Sequence, residues 1–481
     1  MDPHDDVTET VRILFAASEA LPYWKTGGLA DVAHALPDTL VRRGGDVRLI
    51  LPYYRSIRES HLLLEDAGEA VIPWPGGDVP VHYLLHTPAH GTPTLFVQEA
   101  AFFGTRHPYG AAREDPLVVG RRYAFFCRCV VERARAWGAD VVHLNDWQTG
   151  LVPVYALLDG MPAATVFTIH NLAYQGNFDP VLLDQTGVPR TLFRSENGVE
   201  FYGTASFMKA GLGLSDRLVT VSPTYATEIQ TPEGGAGMDG LLRFRHRLLH
   251  GVLNGIDRDI WNPVTDAALP QRFDALNIDA KDGDRAALLH DLGLEDRGPL
   301  LSMVTRLAYQ KGVDILLEAL PGFLELGVSL AILGDGDRAY ASALTTAAAA
   351  NPGRIAVEFG FNDVLARRLY AGADFFLMPS RYEPCGLSQM IAQRYGTPPI
   401  ARRTGGLADT VQDGATGFTF DAPDSRALLA TMERAFRVWR GRRWNALRRR
   451  CMALDWSWDR SAEQYEQVYR MAMGSARRST G

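Results

Sequence analysis

Short apolar runs that stop abruptly at small or polar residues alternate, along almost the whole chain, with longer stretches whose apolar positions recur at helical spacing. The runs read as strands buried on both faces of a parallel sheet, and the longer stretches as amphipathic helices. Runs at 12–18, 47–52, 141–145, 165–169, 218–222 and 251–257 predict the strands of a first half. Those at 300–304, 330–333, 355–359, 375–378 and 399–401 predict the strands of a second. Helices are expected near 121–137, 341–350 and 387–395, and a last one runs to about 473, ahead of a tail from 474 read as disordered. The interval 65–97 departs from this alternation, because Trp74-Pro75-Gly76-Gly77 is turn chemistry and reads as hairpins. The pattern also loosens between 257 and 297.

Alternating β and α in both halves predicts an α/β protein of two doubly wound, Rossmann-like domains facing across a cleft. The expected divisions are 1–260, a crossing at 261–298, 299–455, and a helix and tail at 456–481 that pack back on the first domain. A chain of 481 residues exceeds what one core serves.

Composition removes several classes of function. A hydrophobic share of 46%, a charged share of 22% and a net charge of −7 without a long charged block give no reason to expect nucleic acid as a partner. The local exception, Arg437, Arg440, Arg442, Arg443, Arg448, Arg449 and Arg450, is either a solvated helix face or a contact for a polar polymer. Four scattered cysteines form neither a disulfide framework nor a zinc site. The acidic start, Met1 to Asp6, and the lack of any run of about 18 apolar residues argue against a signal peptide or membrane span, so the cytoplasm is expected.

The chemistry gathers at strand ends. Thr26-Gly27-Gly28-Leu29-Ala30-Asp31 is repeated residue for residue as Thr404-Gly405-Gly406-Leu407-Ala408-Asp409, each time between a strand-like run and a helix. A Gly-Gly helix start is either a plain tight turn or a place where backbone N–H groups approach an anion at the positive end of a helix. The repetition favours two phosphate-sized sites. Lys25 is then a phosphate ligand or a surface charge. Asp146, His170 and Asn171 end neighbouring strands and converge on one expected pocket. Arg306 and Lys311, five residues apart on one turn, add two cations. A diphosphate suits such a site, and the cations would stabilise the charge that builds on it as a leaving group. No carboxylate cluster calls for a metal, and Asp335-Gly336-Asp337 reads as a turn rather than a ligand set. Glu383 would repel a phosphate, so it either bonds sugar hydroxyls and the reacting carbon or serves as a helix cap. Cys385 is expected to matter through its backbone N–H, not as a nucleophile.

These residues resemble the bacterial glycogen synthases and plant starch synthases, retaining GT-B glucosyltransferases of family GT5. The resemblance spans nearly the whole chain. It rests on Lys25 to Val32, Asn145-Asp146-Trp147, Thr168 to Gly176, Val221 to Ala226, Gly251 to Asp257, Arg306 with Gln310-Lys311-Gly312, and Glu383-Pro384-Cys385-Gly386-Leu387 through Val411. It implies transfer of glucose from ADP-glucose to the non-reducing end of an α-1,4-glucan with configuration kept and no cofactor. The first domain would serve the acceptor and the second the donor. Carried over residue by residue, it implies Arg306 and Lys311 on the diphosphate, and Glu383, Asn254 and His170 on glucose hydroxyls. Lys25, Gly27, Gly28, Thr404, Gly405 and Gly406 would line phosphates and sugar, and Cys385, Gly386, Leu387, Asp146 and Asp31 complete the pocket. Many bacterial relatives have His where Asn145 and Gln148 stand. A second Glu common in the wider group is replaced by Ile391, and Phe201-Tyr202-Gly203-Thr204 replaces a more polar run. UDP-glucose or another acceptor is the nearest alternative. A glucan-binding protein without turnover would have lost Arg306, Lys311 or Glu383, and all three are present.

Overall fold

The computed structural model describes residues 10–111 and 114–479; the acidic start of the chain lies outside them. The chain forms two compact units, one of residues 1–221, 226–252 and 458–481, the other of 222–225 and 253–457. The segment 261–298 lies in the second unit and carries the helix Lys281–Asp291.

The first unit is built on β1 (Arg12–Ala16), β2 (Asp46–Pro52), β3 (Glu65–Ile72), β4 (Val79–His86), β5 (Thr94–Gln98), β6 (Val141–Asn145) and β7 (Ala164–Ile169). Three short strands, β8 (Asn177–Phe178), β9 (Glu200–Phe201) and β10 (Thr204–Ser206), form a small separate sheet. With β11 (Arg217–Thr220) and β12 (Leu249–Gly251), the main sheet runs β12-β11-β7-β6-β1-β2-β5-β4-β3. Its strands from β12 to β5 are parallel, and β4 and β3 are added antiparallel as the hairpins expected from the turn at Gly76 and Gly77. β6 and β7 are buried at every position because helices cover both faces. One of these, Pro116–Trp137, starts where the Asp115 side chain accepts from Leu117 N (2.9 Å) and stops at Gly138, whose φ of 66° a residue with a Cβ rarely adopts. The strand order reverses between β1 and β6, so the ends of these strands splay apart and leave room for a ligand.

Two expectations shift. The run 251–257 is not a strand: β12 covers Leu249–Gly251, and beyond Val252, whose N–H bonds Thr220 O (2.8 Å), the rest continues as mostly buried coil. Burial without period looks the same in coil and strand. The last helix is Trp458–Ser479, continuing through Gly474 instead of ending near 473. It lays Ala462, Tyr465, Val468, Tyr469 and Ala472 into the first unit's core. There the Tyr469 hydroxyl bonds Nδ1 of His143 (2.7 Å), whose Nε2 bonds Thr168 Oγ1 (2.8 Å). Burial holds the His143 pKa well below its ordinary value, so the ring is neutral. Tyr469→Phe is expected to destabilise the first unit by about 1–3 kcal/mol, because a buried ring nitrogen loses its partner. Urea unfolding followed by tryptophan fluorescence measures this, and unchanged stability would mean that water replaces the hydroxyl.

The second unit uses β13 (Leu300–Leu307), β14 (Ser329–Gly336), β15 (Ile355–Phe359), β16 (Phe375–Met378), β17 (Pro399–Arg402) and β18 (Phe418–Phe420). All are parallel, in the order β15-β14-β13-β16-β17-β18, with the reversal between β13 and β16. The core packs Leu301, Met303, Ile332, Phe375, Leu377 and Ile400 from the strands against Leu316, Leu428 and Phe436 from the helices. Asp337 caps the Ala-rich helix Arg338–Ala350, accepting from Ala339 N (2.7 Å). Arg448 is buried and donates to Ile278 O (2.7 Å), so it is not part of a solvated face, while the other six arginines of its cluster are exposed.

Candidate active site

Each unit carries its chemistry at its own strand reversal. In the first, β1 is followed by Ala17-Ser18-Glu19, and the chain returns so that the next helix, Gly28–Arg42, starts beside that turn. Glu19, which sequence reasoning passed over, is buried in that turn. Its Oε2 accepts from Thr26 N (2.8 Å) and Thr26 Oγ1 (2.6 Å), and its Oε1 accepts from Gly27 N (3.2 Å). These N–H groups, expected to meet a phosphate, hold a carboxylate of the chain itself. Burial raises the Glu19 pKa, and the three hydrogen bonds partly offset this. Gly28 remains open, since a Cβ there would meet nothing within 4 Å. Lys25 Nζ pairs with Asp31 Oδ1 (2.7 Å), with both side chains partly exposed.

At the ends of β6 and β7 the structure brings Asp146, His170 and Asn171 together. Asp146 has a φ of 56°, a left-handed conformation costly for a residue with a side chain. Its Oδ1 accepts the main-chain N–H of His170 (2.8 Å). Burial pushes the Asp146 pKa up to about 7, opposed by the N–H groups of His170 and Asn171. Asp146 therefore shapes the strand end that presents His170. The His170 ring bonds Asn145 through Nε2 and Oδ1 (2.9 Å), and burial lowers its pKa to about 3.

In the second unit, β13 supplies Arg306, and the single turn Tyr309–Lys311 supplies Lys311. Gly312 closes that turn at φ 68°, where a Cβ would lie 2.0 Å from Pro379 O, so only glycine lets the turns after β13 and β16 touch. Lys311 Nζ reaches Glu383 Oε2 (2.6 Å) and Oε1 (2.9 Å), and Ser380 Oγ donates to Oε2 (3.0 Å). The pair is largely withdrawn from solvent, with side-chain exposures of 17% and 6%.

The twin hexapeptides do not fold alike. Gly405 has φ 45°, and Gly406 N donates to Glu383 O (3.0 Å) and Pro384 O (3.2 Å). A Cβ on Gly405 would lie 2.0 Å from Glu383 O, and one on Gly406 2.1 Å from Cys385 O. This copy is a clasp on the 383–385 backbone, and its helix Gly405–Thr410 is too short for a sizeable dipole. Asp409, the counterpart of Asp31, accepts from Thr224 N (2.9 Å) and Thr224 Oγ1 (2.7 Å), while Ser222 Oγ donates to Pro384 O (2.7 Å). The Ser-Pro-Thr-Tyr motif is thus a clip on the same loop.

Cys385 is buried and its pKa is pushed up to about 12, which keeps it a thiol and supports the expectation that it is not a nucleophile. Asn254 lies beside it, with a backbone bond to the thiol. Its Oδ1 is buried and without a hydrogen-bond partner among the described residues. Gln389 Nε2 donates to Cys385 O (3.0 Å) and Gly386 O (2.8 Å) and fixes the loop that leads through Leu387 into the helix Ser388–Arg394. Just past the end of β15, Phe361 is 93% exposed, a second feature that sequence reasoning missed; a lone aromatic in Gly360-Phe361-Asn362 carries no period to mark it.

Residues 12–244 match the family model described as starch synthase catalytic domain, and residues 284–445 match glycosyl transferases group 1. A glycogen synthase of Anaeromyxobacter sp. (strain Fw109-5) is 45% identical, over 96% of this chain and 99% of its own length. Glycogen synthase of Myxococcus xanthus is 44% identical over 95% and 99%. The catalytic domain of starch synthase IV from Arabidopsis thaliana, solved bound to ADP and acarbose, superposes with a TM-score of 0.87 at 32% identity, covering 97% of this chain and 100% of that one. Sucrose-phosphate synthase from Thermosynechococcus elongatus, at 20% identity over 96% and 98% of the two chains and a TM-score of 0.61, shares the fold. The chain belongs to the glycogen synthase family of glycosyltransferases, with the GT-B fold of two Rossmann-like domains.

Proposed function

We propose that this glycogen synthase transfers glucose from ADP-glucose to the non-reducing end of an α-1,4-glucan with retention of configuration. The carrying observation is the buried Lys311–Glu383 pair at the second unit's strand reversal. A cation there meets a leaving diphosphate, and a carboxylate beside it accepts from sugar hydroxyls. Arg306 and Lys311 hold the diphosphate. Lys25 and Gly28 line phosphates and sugar, while Gly27, whose N–H is bound by Glu19, and Thr404, Gly405 and Gly406, whose turn clasps the 383–385 backbone, hold the adjoining loops in shape. Asn254 and His170 accept from glucose hydroxyls, Cys385, Gly386 and Leu387 give the loop its shape, and Asp146 and Asp31 orient His170 and Lys25. The bond from the anomeric carbon to the phosphate oxygen breaks on the face where the acceptor hydroxyl attacks. That hydroxyl's proton passes to the departing phosphate, and the His170 carbonyl lies near the reacting carbon. The starch synthase IV structure, bound to ADP and acarbose, supports both the adenine donor and the glucan acceptor. All four cysteines are free and buried, which suits a reducing cytoplasm. Among the described residues no helix is long and apolar enough to cross a membrane.

Radiolabelled glucose incorporation into glycogen, with ADP-glucose against UDP-glucose and with or without primer, tests the reading. Primer-dependent incorporation favouring ADP-glucose supports it, and nucleotide release without polymer growth removes the acceptor. Phe361 offers an exposed ring to a flat base, so Phe361→Ala is expected to raise the donor KM about tenfold with little change in kcat. An unchanged KM would take Phe361 out of donor binding.

A further inference from the structure

We propose that Asn145 is a positioning residue for glucosyl transfer: it locks the His170 ring in the form protonated on Nε2, leaving Nδ1 as a hydrogen-bond acceptor only. The proposal deepens the reading of His170 as a contact for donor glucose hydroxyls and rests on it.

The lock follows from which atoms can donate. Asn145 Nδ2 lies 3.0 Å from Ala16 O. A main-chain carbonyl only accepts, so the amide nitrogen of Asn145 faces it and the amide oxygen faces the other way. That oxygen, Oδ1, is 2.9 Å from His170 Nε2 and can only accept. Nε2 therefore carries the proton. Asn145 is fully buried at the end of β6, flanked by β1 and β7, so it has no room to turn its amide over.

The ring also stays neutral. Asp146, on the same strand end, directs its carboxylate to the main-chain N–H groups of His170 and Asn171. His143, two residues before Asn145 and on the same face of β6, is a buried neutral ring held between Tyr469 and Thr168. Glu19, at the end of β1, is taken up by Thr26 and Gly27. None of these sets a negative charge against the His170 ring, and burial keeps its pKa low. A neutral ring with Nε2–H has one lone pair left, on Nδ1. It accepts from a hydroxyl, and it discriminates against a sugar whose hydroxyl is replaced by hydrogen or methoxy, since the acceptor is then left unpaired. Aspartate at 145 would draw the ring towards imidazolium and convert Nδ1 into a donor. Leucine would leave the tautomer unspecified.

Long-range 1H–15N correlation spectra of the full chain labelled with [15N]histidine, His170 being assigned by its loss in His170→Gln, read the tautomer without substrate. The expected result is an Nε2–H pattern that does not titrate between about pH 8 and pH 5, where an ordinary histidine does. In Asn145→Leu the pattern becomes a mixture, and kcat/KM for ADP-glucose falls about tenfold or more. Asn145→His, which can still donate to Ala16 and accept from His170, restores both. An Nδ1–H pattern in the wild-type protein, or protonation of His170 near pH 6.5, overturns the proposal. The wild-type spectrum decides even if Asn145→Leu does not fold. A locked ring in a protein that transfers no glucose would instead count against the proposed function.

Discussion

Lys311→Ala is expected to lower kcat by about 10² or more, because it removes a preorganised positive charge from the departing diphosphate. The structure adds a second loss. Lys311 is the cation bonded to the Glu383 carboxylate, so alanine leaves that carboxylate buried with the Ser380 hydroxyl as its remaining side-chain partner among the described residues. The two losses separate in a double-mutant cycle. Glu383→Gln alone should reduce kcat while leaving ADP affinity, read by calorimetry, largely intact, since its role is on the sugar. Lys311→Ala should weaken ADP binding as well as turnover. The double variant should be less impaired than the product of the two single effects, because the glutamine no longer suffers from an unpaired charge. Near-normal turnover in Lys311→Ala would remove Lys311 from the mechanism. Collapse of ADP affinity in Glu383→Gln would mean that the carboxylate's main task is to hold Lys311 in place.

Most strands of the two large sheets were legible because parallel strands buried on both faces are nearly continuous apolar runs, and their polar ends marked Asp146, His170 and Arg306 directly, but β18 and the short β8, β9 and β10 are too brief to stand out as runs. What escaped depends on residues far apart in the chain meeting. Glu19 belongs to no motif; its role appears only when Thr26 and Gly27 return to the end of β1. Asp409 looks identical to Asp31 in its hexapeptide, yet it bonds Thr224 where Asp31 bonds Lys25. The stretch 252–257 reads as the continuation of a strand, but past Val252, whose N–H still bonds Thr220 O, it runs on as coil. Arg448 sits in a run of arginines that periodicity assigns to solvent, and only the position of Ile278 shows why it is buried. Local pattern reports which face is buried, not which partner arrives there.

Gly406→Ala and Gly28→Ala change the same position of the same hexapeptide, and their outcomes should diverge. At Gly406 the new Cβ would lie 2.1 Å from Cys385 O and 2.5 Å from Cys385 Cα, both main-chain atoms with no side-chain freedom to give way. The clasp on Glu383 and Pro384 would have to open. The expected cost is about 1–3 kcal/mol or more, a drop of several degrees in the second unit's unfolding temperature, with turnover lost as Glu383 shifts. At Gly28, the first residue of its helix, a Cβ meets nothing, and alanine is the better helix former by up to about 1 kcal/mol. Stability should hold or rise. If Gly28 instead leaves space for the donor, as proposed, the methyl group intrudes on that space and the KM for ADP-glucose should increase about tenfold while the melting curve stays put. Differential scanning calorimetry beside steady-state kinetics distinguishes the two. A Gly28→Ala enzyme with unaltered KM would make the first hexapeptide a turn held by Glu19 and nothing more, and a Gly406→Ala enzyme that melts normally would contradict the clasp.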